Sequence, residues 1–189
     1  MFDEHPFKVI LDYAHNPAAF KAMSDLVDRL EIPGKRILVV SVPGDRRDQD
    51  VLEATRILGP HFDHFICKAD ANRRGRGHDE IPQMLRAGFI QNGVSPEAVT
   101  ILPEEPEALD FALNMAREGD LVVINGDDTA RCWKQIIYFK KPEGGQPAPM
   151  VTKARTMPDE AAELITDGDT LIRDERGVRL ARGATEAAD

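Results

Sequence analysis

Four short polar clusters follow apolar runs in a chain that alternates strand-like and helix-period segments, and each carries side chains that can handle charge. The first is Asp12, Tyr13, His15 and Asn16 in "VILDYAHNP", where an apolar run turns polar within a few residues. A carboxylate just inside a strand terminus is costly unless it is hydrated, paired or bound to something, which makes Asp12 a candidate for function. Asn16 followed by Pro17 reads as a helix cap and a first helical residue, a role compatible with ligand contact. His15 then stands beside a helix N-terminus, where free N–H groups and the helix dipole attract phosphate.

The second and third clusters are rich in arginine. "GDRRDQD" supplies Arg46 and Arg47, and "DANRRGRG" supplies Asp70, Arg73, Arg74 and Arg76. Arginine forks match carboxylate or phosphate groups bidentately. The competing reading is a set of surface ion pairs with Asp45 and Asp48, which would stabilise little. The fourth cluster, "NGDD", holds Asn125, Gly126, Asp127 and Asp128; its two acids either cap the following helix or serve a ligand. His5, His61, His64 and His78 have no informative spacing and read as surface residues.

Chemistry of this kind needs elements that bring the clusters together. Apolar, β-branched runs occur at 7–11, 36–42, 64–67, 99–102 and 120–124, alternating with segments of helical period. Phe20, Met23, Val27 and Leu30 share one helix face, before a stop at Gly34. Further helices are expected from Asp48 to Gly59-Pro60, over 79–91, over 103–119 and over 129–139. Continuous apolar strands between amphipathic helices predict an α/β fold, a mostly parallel sheet with helices on both faces. In such a sheet every strand-to-helix loop emerges at the carboxyl edge, where ligands bind. All four polar clusters fall on those loops, whereas the helix-to-strand turns "EIPGKR" and "NGVSPEA" carry nothing comparable.

The composition sets limits. The chain has 189 residues, 42% of them hydrophobic, enough for one α/β domain over 1–140 followed by a linker and tail over 141–189. In the tail, two alternating runs flank Glu175-Arg176-Gly177 and predict a β-hairpin. A net charge of −9 argues against general affinity for nucleic acid or an anionic membrane. No apolar run approaches the ~20 residues that cross a bilayer. Two cysteines without CxxC spacing argue against a zinc site or a disulfide framework and fit a reducing, cytoplasmic setting.

The motif "DYAHNP" after a strand resembles the opening of the C-terminal domain of Mur ligases and folylpolyglutamate synthases. "GDRRDQD", "RRGRG" and "GDLVVINGDD…W" are similar to stretches in the Mur-ligase-like region of cyanophycin synthetases. The likeness runs from residue 7 to about 139. It implies a Rossmann-like domain that closes over ATP and Mg bound mainly by a central P-loop domain, in the same or another chain. No GxxxxGK[ST] occurs in this sequence, so the chain alone is expected to be inactive. By the same resemblance, Asp12, Tyr13, His15 and Asn16 would face ATP. Arg46, Arg47, Arg73, Arg74 and Arg76 would contact an acidic acceptor peptide, Asp127 or Asp128 the incoming amino acid, for instance arginine, and Asp70 would belong to the same substrate-binding site. Ligases of this type activate a carboxylate as an acyl phosphate, which an amine then attacks. "DANRRGRG" stands where cell-wall ligases adding a diamino acid carry Asp-Asn-Pro-Arg, which disfavours peptidoglycan substrates.

Two other readings stay open at this point. A haloacid-dehalogenase-like phosphohydrolase would also place an Asp at the end of its first strand, but it needs a second Asp where this chain has Ala14. A freestanding ligand-binding or interaction domain would use the same loops without turnover.

Overall fold

The computed structural model describes residues 1–140 and, of the tail, the backbone of 170–174 and 177–181. The expected linker and the rest of the tail lie outside the described residues. Five parallel strands form one sheet: β1 (Lys8–Asp12), β2 (Arg36–Val40), β3 (His64–Cys67), β4 (Val99–Ile101) and β5 (Leu121–Asn125), in the order β1-β5-β2-β3-β4. Five helices connect or follow them: α1 (Pro17–Arg29), α2 (Asp48–Leu58), α3 (Glu80–Gln91), α4 (Glu105–Met115) and α5 (Thr129–Tyr138). The expected α/β architecture is present.

Alternation along the strands divides the core into two layers. Ile10, Leu38, Val40, Phe65 and Val123 pack on one side against Phe20 and Val27 of α1, Val51 and Leu58 of α2, and Leu85 and Phe89 of α3. Val9, Ile37, Val39, Ile66, Val122 and Ile124 pack on the other against Leu109 and Leu113 of α4 and Ile136 of α5. Successive side chains leave a strand on opposite faces, so a run that is apolar at every position has to be covered twice. β2, β3 and β5 are buried throughout.

The edge strand β1 is covered from outside. Phe2 pairs antiparallel with Val9 through two backbone hydrogen bonds of 2.7 and 2.8 Å, a contact that blunts an otherwise open edge. Element ends differ from expectation in places. Helix α1 stops at Arg29, short of Gly34, because Leu30 turns to an extended backbone. Helix α4 occupies 105–115 of the 103–119 stretch. In the tail, β6 (Thr170–Asp174) and β7 (Gly177–Ala181) pair antiparallel with Leu171 opposite Leu180, as the hairpin reading expects; residues 175–176 of its turn lie outside the described residues.

One histidine reading needs correction. His64 is 4% exposed inside β3, where its Nε2 lies 3.0 Å from the Thr100 hydroxyl of β4. Neighbouring parallel strands bury it from both sides, which its isolated place in the sequence did not reveal. His61 is half-buried at 2.7 Å from Asp28, which also binds the buried guanidinium of Arg36.

Candidate functional site

Strand order decides which loops meet. β5 lies between β1 and β2, so its terminal residues stand between the loops that follow those strands. Asp12 is in register with Asn125. Asn125, 5% exposed, donates from Nδ2 to the carbonyl of Ala14 and accepts at Oδ1 from the Ser41 N–H at 3.3 Å. One buried amide thereby ties three loops together. The sequence places Asn125 in a polar cluster, but its role as a crosslink depends on the strand order.

A cavity of about 190 Å³ opens at this edge, lined by Tyr13, Ala14, His15, Ser41, Pro43, Arg46, Asp70, Arg74, Asn125 and Asp127. All four polar clusters contribute to it. Within the first loop, Asp12 accepts the Ala14 N–H at 2.6 Å, so one carboxylate oxygen is engaged in the turn. The His15 Nδ1–H donates to the Tyr13 carbonyl at 3.0 Å, which leaves Nε2 without a partner among the described residues. Tyr13 is 61% exposed, an uncovered aromatic beside the cavity. Asn16 caps α1, accepting the Ala19 N–H at 2.9 Å.

The five arginines divide sharply. Arg47 pairs with Asp50 at 2.8 Å on the exposed flank of α2 and does not line the cavity. Arg73 stands 3.7 Å from Glu104, also away from it. Arg76 binds the carbonyls of Gly44 and Arg46 at 2.9 and 2.8 Å, and pairs with Asp48 and Glu80, so it clamps one loop onto the other. Gly44 permits that approach, since a Cβ there would run into the Arg73 carbonyl. Arg74 reaches Asp45 at 2.5 Å from a backbone with φ 48°, an uncommon conformation for a residue with a side chain; Gly75 follows at φ 91°. Only Arg46, among the arginines of these two loops, has neither an ion pair nor a side-chain hydrogen bond with the described residues, and its Nε is buried without a partner. Ser41 adjoins it in the cavity wall, 2% exposed, with an unpartnered hydroxyl.

The two acids at the end of β5 also separate. Asp128 caps α5, accepting the Arg131 N–H at 3.0 Å. Asp127 lines the cavity and rests on a buried ionic group absent from the sequence reading. Lys68, directly after β3 and 0% exposed, has its ammonium 2.9 Å from Asp127 and 2.8 Å from Glu105, ion-pair contacts that stand off hydrogen-bond directions. Glu105, 5% exposed, also receives the Asp127 N–H at 2.8 Å and Arg131 at 2.5 Å. Burial pushes the Glu105 carboxyl up, but Lys68 and the donated bonds outweigh it and bring the group down to about 2. For Asp127 the balance falls the other way: burial raises it, and Lys68 offsets only part. In sequence, Glu105 looks like an ordinary first-turn acid of α4, and Lys68 like a polar residue following a strand.

Among the described residues, no group of three or more His, Cys, Asp or Glu side chains is placed to hold a metal ion. Both cysteines are free and buried. No described helix is long and apolar enough to cross a membrane.

Comparison with known proteins matches residues 1–127 to the family described as Mur ligase, glutamate ligase domain. A cyanophycin synthetase of Synechocystis sp. is 34% identical over 144 residues, which is 76% of this chain and 16% of that protein. The chain therefore spans about a sixth of the length of that relative. Among solved structures, a UDP-N-acetylmuramoyl-L-alanyl-D-glutamate–2,6-diaminopimelate ligase superposes with a TM-score of 0.53 at 23% identity, covering 65% of this chain and 24% of that one. A Mycobacterium tuberculosis folylpolyglutamate synthase complexed with ADP gives 0.53 at 20% identity, covering 71% and 30%. Those two likenesses show a shared fold. The family match over most of the α/β domain, together with the cyanophycin synthetase identity, establishes that the chain belongs to the Mur ligase, glutamate ligase domain family.

Proposed function

We propose that this domain is the substrate-binding and ATP-closing part of an ATP-dependent ligase that joins an amino acid to an acidic peptide. The cyanophycin-synthetase-like case, a cationic amino acid such as arginine added to an aspartyl chain, fits the residues best. The observation that carries it is the presence of both charge signs around one cavity. Arg46 and Ser41, both with unused polar atoms, line it, and Asp127 and Asp70 offer carboxylates to the same space. An anionic acceptor and a cationic donor need those two signs side by side.

In this reading His15 Nε2 and the N-terminus of α1 face the phosphates of ATP, and Tyr13 and Asp12 face its nucleoside end. A helix N-terminus with an adjacent imidazole suits anionic oxygen. Arg46 orients the acceptor carboxylate, and Asp127 the cationic amino acid. The P-loop and the Mg ion belong to a partner domain, since the sequence contains no GxxxxGK[ST]. Each side chain here binds and orients; the domain supplies part of a closed site.

The test is ADP release by a protein that carries this domain together with its P-loop domain. Release should require both an aspartyl peptide and arginine, and His15→Ala should weaken the ATP dependence while leaving the melting temperature in place. ADP release indifferent to either substrate would overturn the reading.

A further inference from the structure

The buried cluster beneath the cavity has a division of labour that the ligase reading alone does not require. Lys68 is fully enclosed. Its ammonium meets Glu105 on one side and Asp127 on the other, while Arg131 meets Glu105 from the outside, so two cations balance two carboxylates. A buried lysine is costly to desolvate and is retained with close counter-charges. Glu105 alone could serve as that counter-charge. The second contact, to Asp127, constrains a residue of the cavity wall.

Oxygen by oxygen, the constraint has a direction. Asp127 Oδ2 takes both Lys68 at 2.9 Å and the Ala71 N–H at 3.0 Å. Its own backbone N–H is held by Glu105 at 2.8 Å. Oδ1 has no partner among the described residues, and Asp127 lines the cavity. The carboxylate is thus held at two points and its backbone at a third, with one oxygen left for a ligand.

We propose that Lys68 is a positioning residue of the substrate site: through Asp127 Oδ2 it sets the carboxylate so that Oδ1 receives the cationic side chain of the incoming amino acid. The inference rests on the ligase reading for the identity of that ligand. Without Lys68, Asp127 keeps its place in the chain and the Ala71 N–H but loses one of the two contacts that hold Oδ2, so the site loses selectivity for positive charge before it loses binding altogether. Lys68 does not itself touch the ligand.

The test measures binding of arginine and of citrulline, its neutral isostere, to the 189-residue chain by NMR titration. Three proteins are compared: wild type, Asp127→Asn, and the double variant Lys68→Met/Glu105→Gln, which removes one buried cation and one buried anion together and keeps the cluster neutral. Wild type should favour arginine, and both variants should lose about tenfold of that preference, the scale of one charge-assisted hydrogen bond. Wild-type preference retained in a double variant with a cooperative melt overturns the role of Lys68 and leaves the ligase reading untouched. Equal binding of arginine and citrulline by wild type overturns the cationic-donor reading itself. Should the double variant fail to fold, the unaltered chain still decides: the isotope-labelled Lys68 ammonium signal should persist, protected, when arginine is bound. Its release on arginine binding would show that Asp127 leaves the lysine to meet the ligand, and would overturn the proposal.

Discussion

Arg76 donates from Nε to the carbonyl of Gly44 at 2.9 Å, joining the loop after β3 to the loop after β2. The same guanidinium reaches the Arg46 carbonyl and two carboxylates, and its side chain is only 19% exposed. An arginine so placed holds the two loops together.

Arg76→Ala should therefore destabilise the domain. Lost charge-assisted bonds to backbone carbonyls cost about 2 kcal/mol, or roughly 5–10 °C in Tm for a domain of this size. Arg46→Ala should leave Tm within about 2 °C, since that half-buried side chain has no hydrogen bond or ion pair with the described residues to lose and its truncation removes an unpartnered buried Nε. Thermal melts of the two variants check the contrast, and equal Tm losses would contradict it.

Ligase kinetics should order the first arginine pair the same way the cavity does. In a protein that includes the P-loop domain, Arg46→Ala should lower kcat/KM for the acidic acceptor by ten- to a hundredfold, on the order of 1.5–3 kcal/mol. The loss at Arg47→Ala should be far smaller, because Arg47 is paired with Asp50 outside the cavity. A larger loss at Arg47 would move the acceptor path to the outer flank of α2.

Stability should fall in mild acid through His64. Burial pushes its imidazole down to about 4, with Lys35 adding to the effect. The unfolded chain then takes up a proton near 6.5 that the folded one refuses until about pH 4, so the neutral form's contribution is present above pH 6.5 and lost as pH falls toward 4. The loss is on the order of 3 kcal/mol. Urea titrations across that window should show a shallower decline for His64→Asn than for wild type; parallel curves would mean that the group is protonated without cost.

ATP should bind the 189-residue chain at millimolar affinity or weaker, about −4 kcal/mol. In the proposed reading His15 and the α1 N-terminus supply only part of a phosphate site, and the sequence has no P-loop to complete it. Micromolar binding by calorimetry would show that the domain holds a nucleotide site of its own.

Much of this protein was legible without coordinates, for local reasons. Runs such as "RILVV" and "LVVIN", apolar at every position, mark strands covered on both faces, and Asn16-Pro17 marks a helix start that depends on one side chain and its own backbone. A parallel sheet sends its strand-to-helix loops to one edge, so the meeting of four polar clusters followed from the alternation of elements. Tertiary structure alone decided which members of those clusters remain free. Arg46 and Arg47 are adjacent in sequence, yet only Arg46 reaches the cavity, and Arg76 looks like Arg74 until the Gly44 carbonyl is seen beneath it. Lys68, Glu105 and Asp127 come from three separate segments, and their partnership exists only because Lys68 after β3 and Glu105 at the start of α4 both reach the loop after β5. Pairing of buried charges depends on distances of about 3 Å between segments remote in the chain, and sequence spacing carries no record of such distances.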